Sequence, residues 1–138
     1  MVLAAFAKPR DAHAQAGVAE SANLEIVKMF CAAWGTRDLK LITSYLADDS
    51  VYRMTETTPP ILGHEPFVAQ LQPWMVSSDS IEFKILETFA RGPIVVTHRI
   101  DHFASKTRPL TWEGVGVFFV KNGKIKEWSD FTIRTERA

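Results

Sequence analysis

The sequence predicts an α+β fold: a curved, mixed but mostly antiparallel sheet with about three helices packed on its concave face, enclosing a pocket. Two observations carry this. The first half places apolar residues at helical spacing, whereas everything from Ile81 onward alternates with a period of two between turn signals. No repeat, linker or low-complexity block interrupts the 138 residues, so residues 21–138 read as a single α+β domain preceded by an N-terminal arm at 1–20. A chain of this size folds from ~22,000 Å² of extended surface to roughly 7,000 Å², enough burial for one core and one internal pocket.

Residues 1–20 are Ala-rich with no clear period and read as a loosely held arm or a short helix. A helix is expected from Ser21, with Leu24, Val27, Cys31 and Trp34 on one stripe and Gly35 as its stop. Asp38 is positioned to cap a second short helix carrying Leu39, Ile42 and Leu46. Asp48-Asp49-Ser50 breaks it, and Val51–Met54 reads as a short strand. Thr55–Gly63 is expected as a loop. Pro66 suits the first turn of a third helix with Phe67, Leu71, Trp74 and Met75 on one face, and Pro73 is expected to kink or end it. Four strands follow, Ile81–Phe89, Ile94–Phe103, Leu110–Val120 and Lys124–Arg134, the last two joined by an Asn122-Gly123 hairpin.

Composition narrows the function. With 16 Lys plus Arg against 16 Asp plus Glu, and no basic stripe, nucleic acid is not an expected partner. The apolar runs are too short to span a bilayer, and the N-terminus lacks the pattern of a signal peptide. A lone cysteine, Cys31, allows no internal disulfide or cysteine-based metal site, so a cytoplasmic protein is expected. His98 and His102 share a strand face but sit too far apart to share an ion; no metal and no cofactor is expected.

Two strands break the alternation expected of a half-buried sheet. Thr97, Arg99, Asp101 and Phe103 share one face of the second long strand, and Trp128, Asp130, Thr132 and Arg134 share one face of the last. The Arg99–Asp101 spacing admits two readings, a surface ion pair or an inward cluster. Inward carboxylates and a guanidinium would be costly unless they met and hydrogen-bonded.

The segment Tyr45–Tyr52 resembles the approach to the pocket in cone-shaped domains of the nuclear transport factor and ketosteroid isomerase type. Arg99-Ile100-Asp101, Gly116-Val117-Phe118, Gly123-Lys124-Ile125 and Trp128-Ser129-Asp130-Phe131 are similar to the limonene epoxide hydrolase family over residues 21–134. The resemblance implies one-step hydrolysis of a small hydrophobic epoxide to a vicinal diol. Asp101 would be the general acid, Asp130 the base that activates water, Arg99 the group holding both, and Tyr52 a water-positioning residue. The family places an Asn two residues after that Tyr, where this chain has Met54; Thr55, Glu56 and Thr97 are the candidates to take over that role. Met54, Leu71, Trp74, Met75, Phe103, Trp112 and Thr132 would shape the substrate site. The resemblance also implies a homodimer, paired through an outer sheet face bearing Val115, Val117, Phe119, Phe131 and Ile133. The rival readings are an isomerase or epoxide-opening cyclase on the same scaffold, and a non-catalytic binding module.

Overall fold

The computed structural model describes residues 9–137. Helix α1 spans Pro9–Ala33, so it begins well upstream of the expected start at Ser21. The described part of the expected arm is thus helical, and residues 1–8 lie outside the described residues. Its last turns bury Val27, Phe30 and Cys31. A single 3₁₀ turn, Trp34–Thr36, follows, and the residue that adopts a left-handed conformation to close it is Arg37 (φ 55°), not Gly35. Helix α2, Leu39–Ser44, is capped as expected: the Asp38 carboxylate accepts from the amides of Lys40 and Leu41 at 2.9 and 3.2 Å.

Leu46 does not extend α2. It opens strand β1, Leu46–Arg53, where it is buried and pairs in parallel with Ile125. An irregularity between Leu46 and Val51 leaves Asp48 and Asp49 in solvent, which is why the polar run read as a break between helix and strand. Inside the expected loop, Ile61–Leu62 forms a two-residue edge strand, β2, paired with Val51 and Tyr52. Helix α3, His64–Ser77, contains Pro66 in its first turn and runs through Pro73 without ending there. Pro73 and Ala69 are both exposed, so water can serve the carbonyl that proline leaves unpaired.

Strands β3 (Ser80–Arg91), β4 (Ile94–Ala104), β5 (Leu110–Lys121) and β6 (Lys124–Glu136) form an antiparallel meander. The β5–β6 hairpin turns at Asn122-Gly123, both at positive φ. The six-stranded sheet has the order β2-β1-β6-β5-β4-β3, and β1 lies parallel to β6. The core fills the space between the helices and the inner face. The Phe30 ring meets Trp34, Phe118 and Trp128 edge-on at 6.2, 6.0 and 5.0 Å, and Tyr52 stacks on Trp128 at 3.8 Å. On the outer face Phe119, Phe131 and Ile133 remain 37, 48 and 57% exposed.

Candidate active site

Alternation along β4 buries Val95, Thr97, Arg99 and Asp101 on the inner face and leaves Val96, His98 and Ile100 on the outer one. Arg99 and Asp101 are therefore an inward cluster, not a surface pair. Arg99 is fully buried, and Asp101 and Asp130 are each 4% exposed. The guanidinium joins both acids. Its Nε donates to Asp101 at 2.9 and 3.2 Å, and its Nη2 donates to Asp101 at 3.1 Å and to Asp130 at 3.0 Å.

Reaching from β4 to β6 means crossing β5, roughly 9–10 Å for two strand spacings. The register explains how this is possible. Gly116 of β5 pairs with Thr97 on one side and Asp130 on the other. A Cβ at Gly116 would collide with Arg99 Nη1, so the absent side chain is what lets the arginine lie across the strand. Gly114, between Arg99 and Thr132, likewise leaves room for the Trp112 ring. The guanidinium lies 5.0 Å from the rings of Phe83 and Trp112 and 5.5 Å from that of Trp128. These faces suit a cation taken out of water.

The two carboxylates have unequal surroundings. Asp130 accepts from the Trp128 indole at 2.8 Å and from the Tyr52 hydroxyl at 3.3 Å, in addition to Arg99. Asp101 accepts side-chain hydrogen bonds from Arg99 alone among the described residues. Burial pushes the Asp101 carboxyl up to about 7, against the opposing pull of Arg99, with Asp130 adding to the rise. Burial also raises Asp130, while Arg99, Trp128 and Tyr52 act in the other direction. Burial works to lower the guanidinium, but the two acids outweigh it and hold Arg99 charged. With three different donors on Asp130 and one on Asp101, the ionised form is the better supported of the two on Asp130. Burial, followed by the Asp130 charge, keeps the Tyr52 hydroxyl protonated. Cys31, its thiol pushed up to about 12 by burial, is inert packing.

A pocket of about 200 Å³ opens onto these acids, lined by Tyr52, Met54, Leu71, Trp74, Asp101, Phe103, Trp112, Asp130 and Thr132. Nine of the expected residues thus come together there, with Arg99 directly behind the carboxylates. Met75 does not join them: it is buried in the core. Arg134 does not share the inner face. A bulge where Thr132 pairs with Gly114 and Arg134 with Glu113 reverses the alternation, and Arg134 Nε donates to Glu113 on the outer side. The same bulge turns Thr135 and Arg137 toward the pocket, where neither was expected. Trp34, Thr55, Phe83 and Leu110 complete the wall. His98 and His102 are separate, meeting Glu113 and Thr111 respectively.

Fold and site together define a pocket-bearing cone domain with an acid–base cluster at its floor. A SnoaL-like domain matches residues 27–128, and the chain belongs to that family. Among solved structures it is similar to an epoxide hydrolase of the limonene type from Mycobacterium tuberculosis, at 26% identity and a TM-score of 0.72, covering 82% of this chain and 84% of that one. A protein of Xanthomonas campestris described as a candidate polyketide cyclase aligns at 18% identity and a TM-score of 0.69, over 81% and 90%. A protein of Catenulispora acidiphila with a ketosteroid isomerase-like fold aligns at 16% and 0.68, over 77% and 83%. The last two establish a shared fold only. No curated protein sequence matches the chain. No helix among the described residues is long and apolar enough to cross a membrane.

Proposed function

We propose that the protein is an epoxide hydrolase that adds water to a small hydrophobic epoxide in one step. The observation that carries this is a single buried guanidinium hydrogen-bonded to two carboxylates at the floor of an apolar pocket, with the donors weighted toward Asp130. Asp101, the proton-bearing acid, donates to the epoxide oxygen as the carbon–oxygen bond breaks. Asp130, the ionised one, takes a proton from the water whose oxygen forms the new bond to carbon. The substrate gains one water and becomes a vicinal diol. Solvent then returns Asp101 and Asp130 to their starting protonation states. Acid and base work at the same instant, as two carboxylates with separated proton affinities allow. The resemblance to the hydrolase from M. tuberculosis supports the same assignment.

The decisive experiment is a panel of epoxides with product analysis in oxygen-18 water. Diol carrying label after a single turnover, with none in the protein, is the expected result. Label in a carboxylate would require a covalent ester and would overturn the mechanism. Asp101→Asn and Asp130→Asn should each lower turnover at least about a hundredfold, and the double variant should be little worse, since the two act in one step.

Met54 favours a second reading, because a thioether holds water poorly. The same acid would then open an epoxide toward an internal hydroxyl or shuttle a proton in an isomerisation. A cyclic ether or an isomer in the product analysis would establish it.

The reading extends to a homodimer formed through the outer face, where Phe119, Phe131 and Ile133 are exposed beside the half-buried Val115 and Val117. Light scattering at micromolar concentration should give twice the chain mass; a monomer would refute the pairing.

A further inference from the structure

We infer that Thr132 is a water-positioning residue: its hydroxyl, oriented by the Trp112 indole, holds the attacking water together with Asp130. This rests on the hydrolase reading above and assigns the role that Met54 leaves open.

The three candidates drawn from the sequence do not fill that role. Thr97 is fully buried, and its hydroxyl oxygen accepts from Arg99 Nη1 at 3.2 Å. Thr55 is on the pocket wall, but its hydroxyl is engaged with Thr57 and Thr58 at 3.4 and 3.2 Å within its own loop. Glu56 is exposed and accepts from the Thr132 amide at 3.3 Å.

Thr132 is placed differently. It lines the pocket two residues after Asp130, on the same inner face of β6. Its Oγ1 accepts from Trp112 Nε1 at 3.0 Å. That bond uses one lone pair and sets the orientation of the hydroxyl group. The O–H and the second lone pair have no partner among the described residues and point away from the indole. The Cα atoms of residues two apart on a strand stand roughly 6.5–7 Å apart with side chains on one face, and a water with two hydrogen bonds of about 2.8 Å bridges side-chain oxygens up to about 5.6 Å apart. Such a water gives one proton to Asp130, is held in place by Thr132, and keeps a lone pair for the epoxide carbon.

The support for this hydroxyl is built into the neighbouring strand. Thr132 pairs with Gly114, and a Cβ at Gly114 would collide with the Trp112 ring. Without that glycine the indole could not reach Thr132. Glu56 fixes the Thr132 backbone from the other side, at the bulge itself.

The test pairs crystallography with kinetics on the full chain. High-resolution crystals of the wild-type protein should hold a water within hydrogen-bond distance of both Asp130 and Thr132 Oγ1. Thr132→Val should lose it and keep the Arg99–carboxylate geometry. Thr132→Val should lower kcat at least tenfold with KM changed less than threefold, and Thr132→Ser should recover kcat to within threefold of wild type. Thr132→Ala gives the same reading should the valine variant not fold. Absence of the bridging water in the wild type overturns the proposal. So does a kcat for Thr132→Val within twofold of wild type, or a serine variant as slow as the valine one. A bridging water in a protein that forms diol from no epoxide overturns the hydrolase reading, and with it the catalytic part of this role, while upholding the water site.

Discussion

Strands β4, β5 and β6 carry two ionic clusters, one on each face, and the adjacent residues His98 and Arg99 belong one to each. Inside, Arg99 sits between Asp101 and Asp130; outside, Glu113 sits between His98 and Arg134, at 2.8 and 2.6 Å. Inner and outer clusters have similar chemistry and opposite behaviour. The His98 hydrogen bond, followed by Arg134, holds the Glu113 carboxyl, on a side chain itself 14% exposed, below its usual range, as expected of an acid between two donors that reach into solvent. Asp101 and Asp130 also have a cationic partner, yet burial raises both. Pairing alone therefore does not set the direction. What differs is solvent: the His98 and Arg134 side chains are 38 and 65% exposed, and Arg99 is not exposed at all. Of the two clusters, it is the one on the dry side of the sheet whose burial favours a neutral carboxylic acid near pH 7, able to donate a proton.

The largest effect that would break this contrast is at Arg99. Arg99→Met removes the cation and leaves two carboxylates buried against each other. Breaking a buried pair in this way costs about 3–5 kcal/mol, against about 0–1 kcal/mol for a solvated surface pair. Urea denaturation at pH 7 should show a loss in the higher range, with the proposed hydrolysis abolished. A loss below about 1 kcal/mol would mean that the inner cluster is as solvated as the outer one.

The sequence revealed the inner cluster and hid its surroundings, for identifiable reasons. Spacing alone left Arg99 and Asp101 open to a surface ion pair or an inward cluster, each inward charge carrying a cost that demands a partner; the resemblance to the limonene epoxide hydrolase family is what pointed Arg99, Asp101 and Asp130 to one site. The four-strand meander was legible from alternation and the Asn122-Gly123 turn. Alternation also misplaced Arg134 and missed Thr135 and Arg137, because a bulge adds one residue to β6 and reverses the faces beyond Thr132. Gly114 and Gly116 were a visible signal, since glycine inside a strand marks a close approach. What approaches them is set by register with β4 and β6, which local pattern does not contain. Strand β2 is too short to show a period, and Met75 satisfies the helical stripe equally well as core or as pocket wall.

A smaller but sharper effect is in pH. If Asp101 is the acid and Asp130 the base, kcat should fall as pH rises through about 7, where the buried Asp101 carboxyl gives up its proton, and fall again at acid pH, where Asp130, itself raised by burial, takes one up. The Asp101 shift also acts on stability. The folded value lies above the ordinary 3.8, so the folded state binds this proton more tightly than the unfolded chain. Its contribution is complete below 3.8 and is lost as pH climbs through about 7. Denaturation midpoints measured across that window should decline more steeply in wild type than in Asp101→Asn. Equal slopes would place the proton elsewhere.

The smallest expected effect is on the outer face, and its sign is reversed. Glu113 is held below its ordinary 4.5, so its contribution is present above that value and disappears as pH falls through the depressed one. Glu113→Gln keeps the shape and removes the charge. Turnover at pH 7 should stay within twofold of wild type, because Glu113 faces away from the pocket wall. Thermal midpoints between pH 3 and 8 should reveal the difference. The glutamine variant should be less sensitive to acid below 4.5 than wild type and identical to it in slope between there and pH 7. The two substitutions, Asp101→Asn and Glu113→Gln, would then flatten opposite ends of one stability curve. A tenfold loss of turnover in Glu113→Gln, or a change of slope near pH 7, would show that the sheet couples its two faces. The outer ion pairs would then have to be counted as part of what holds Arg99 in place.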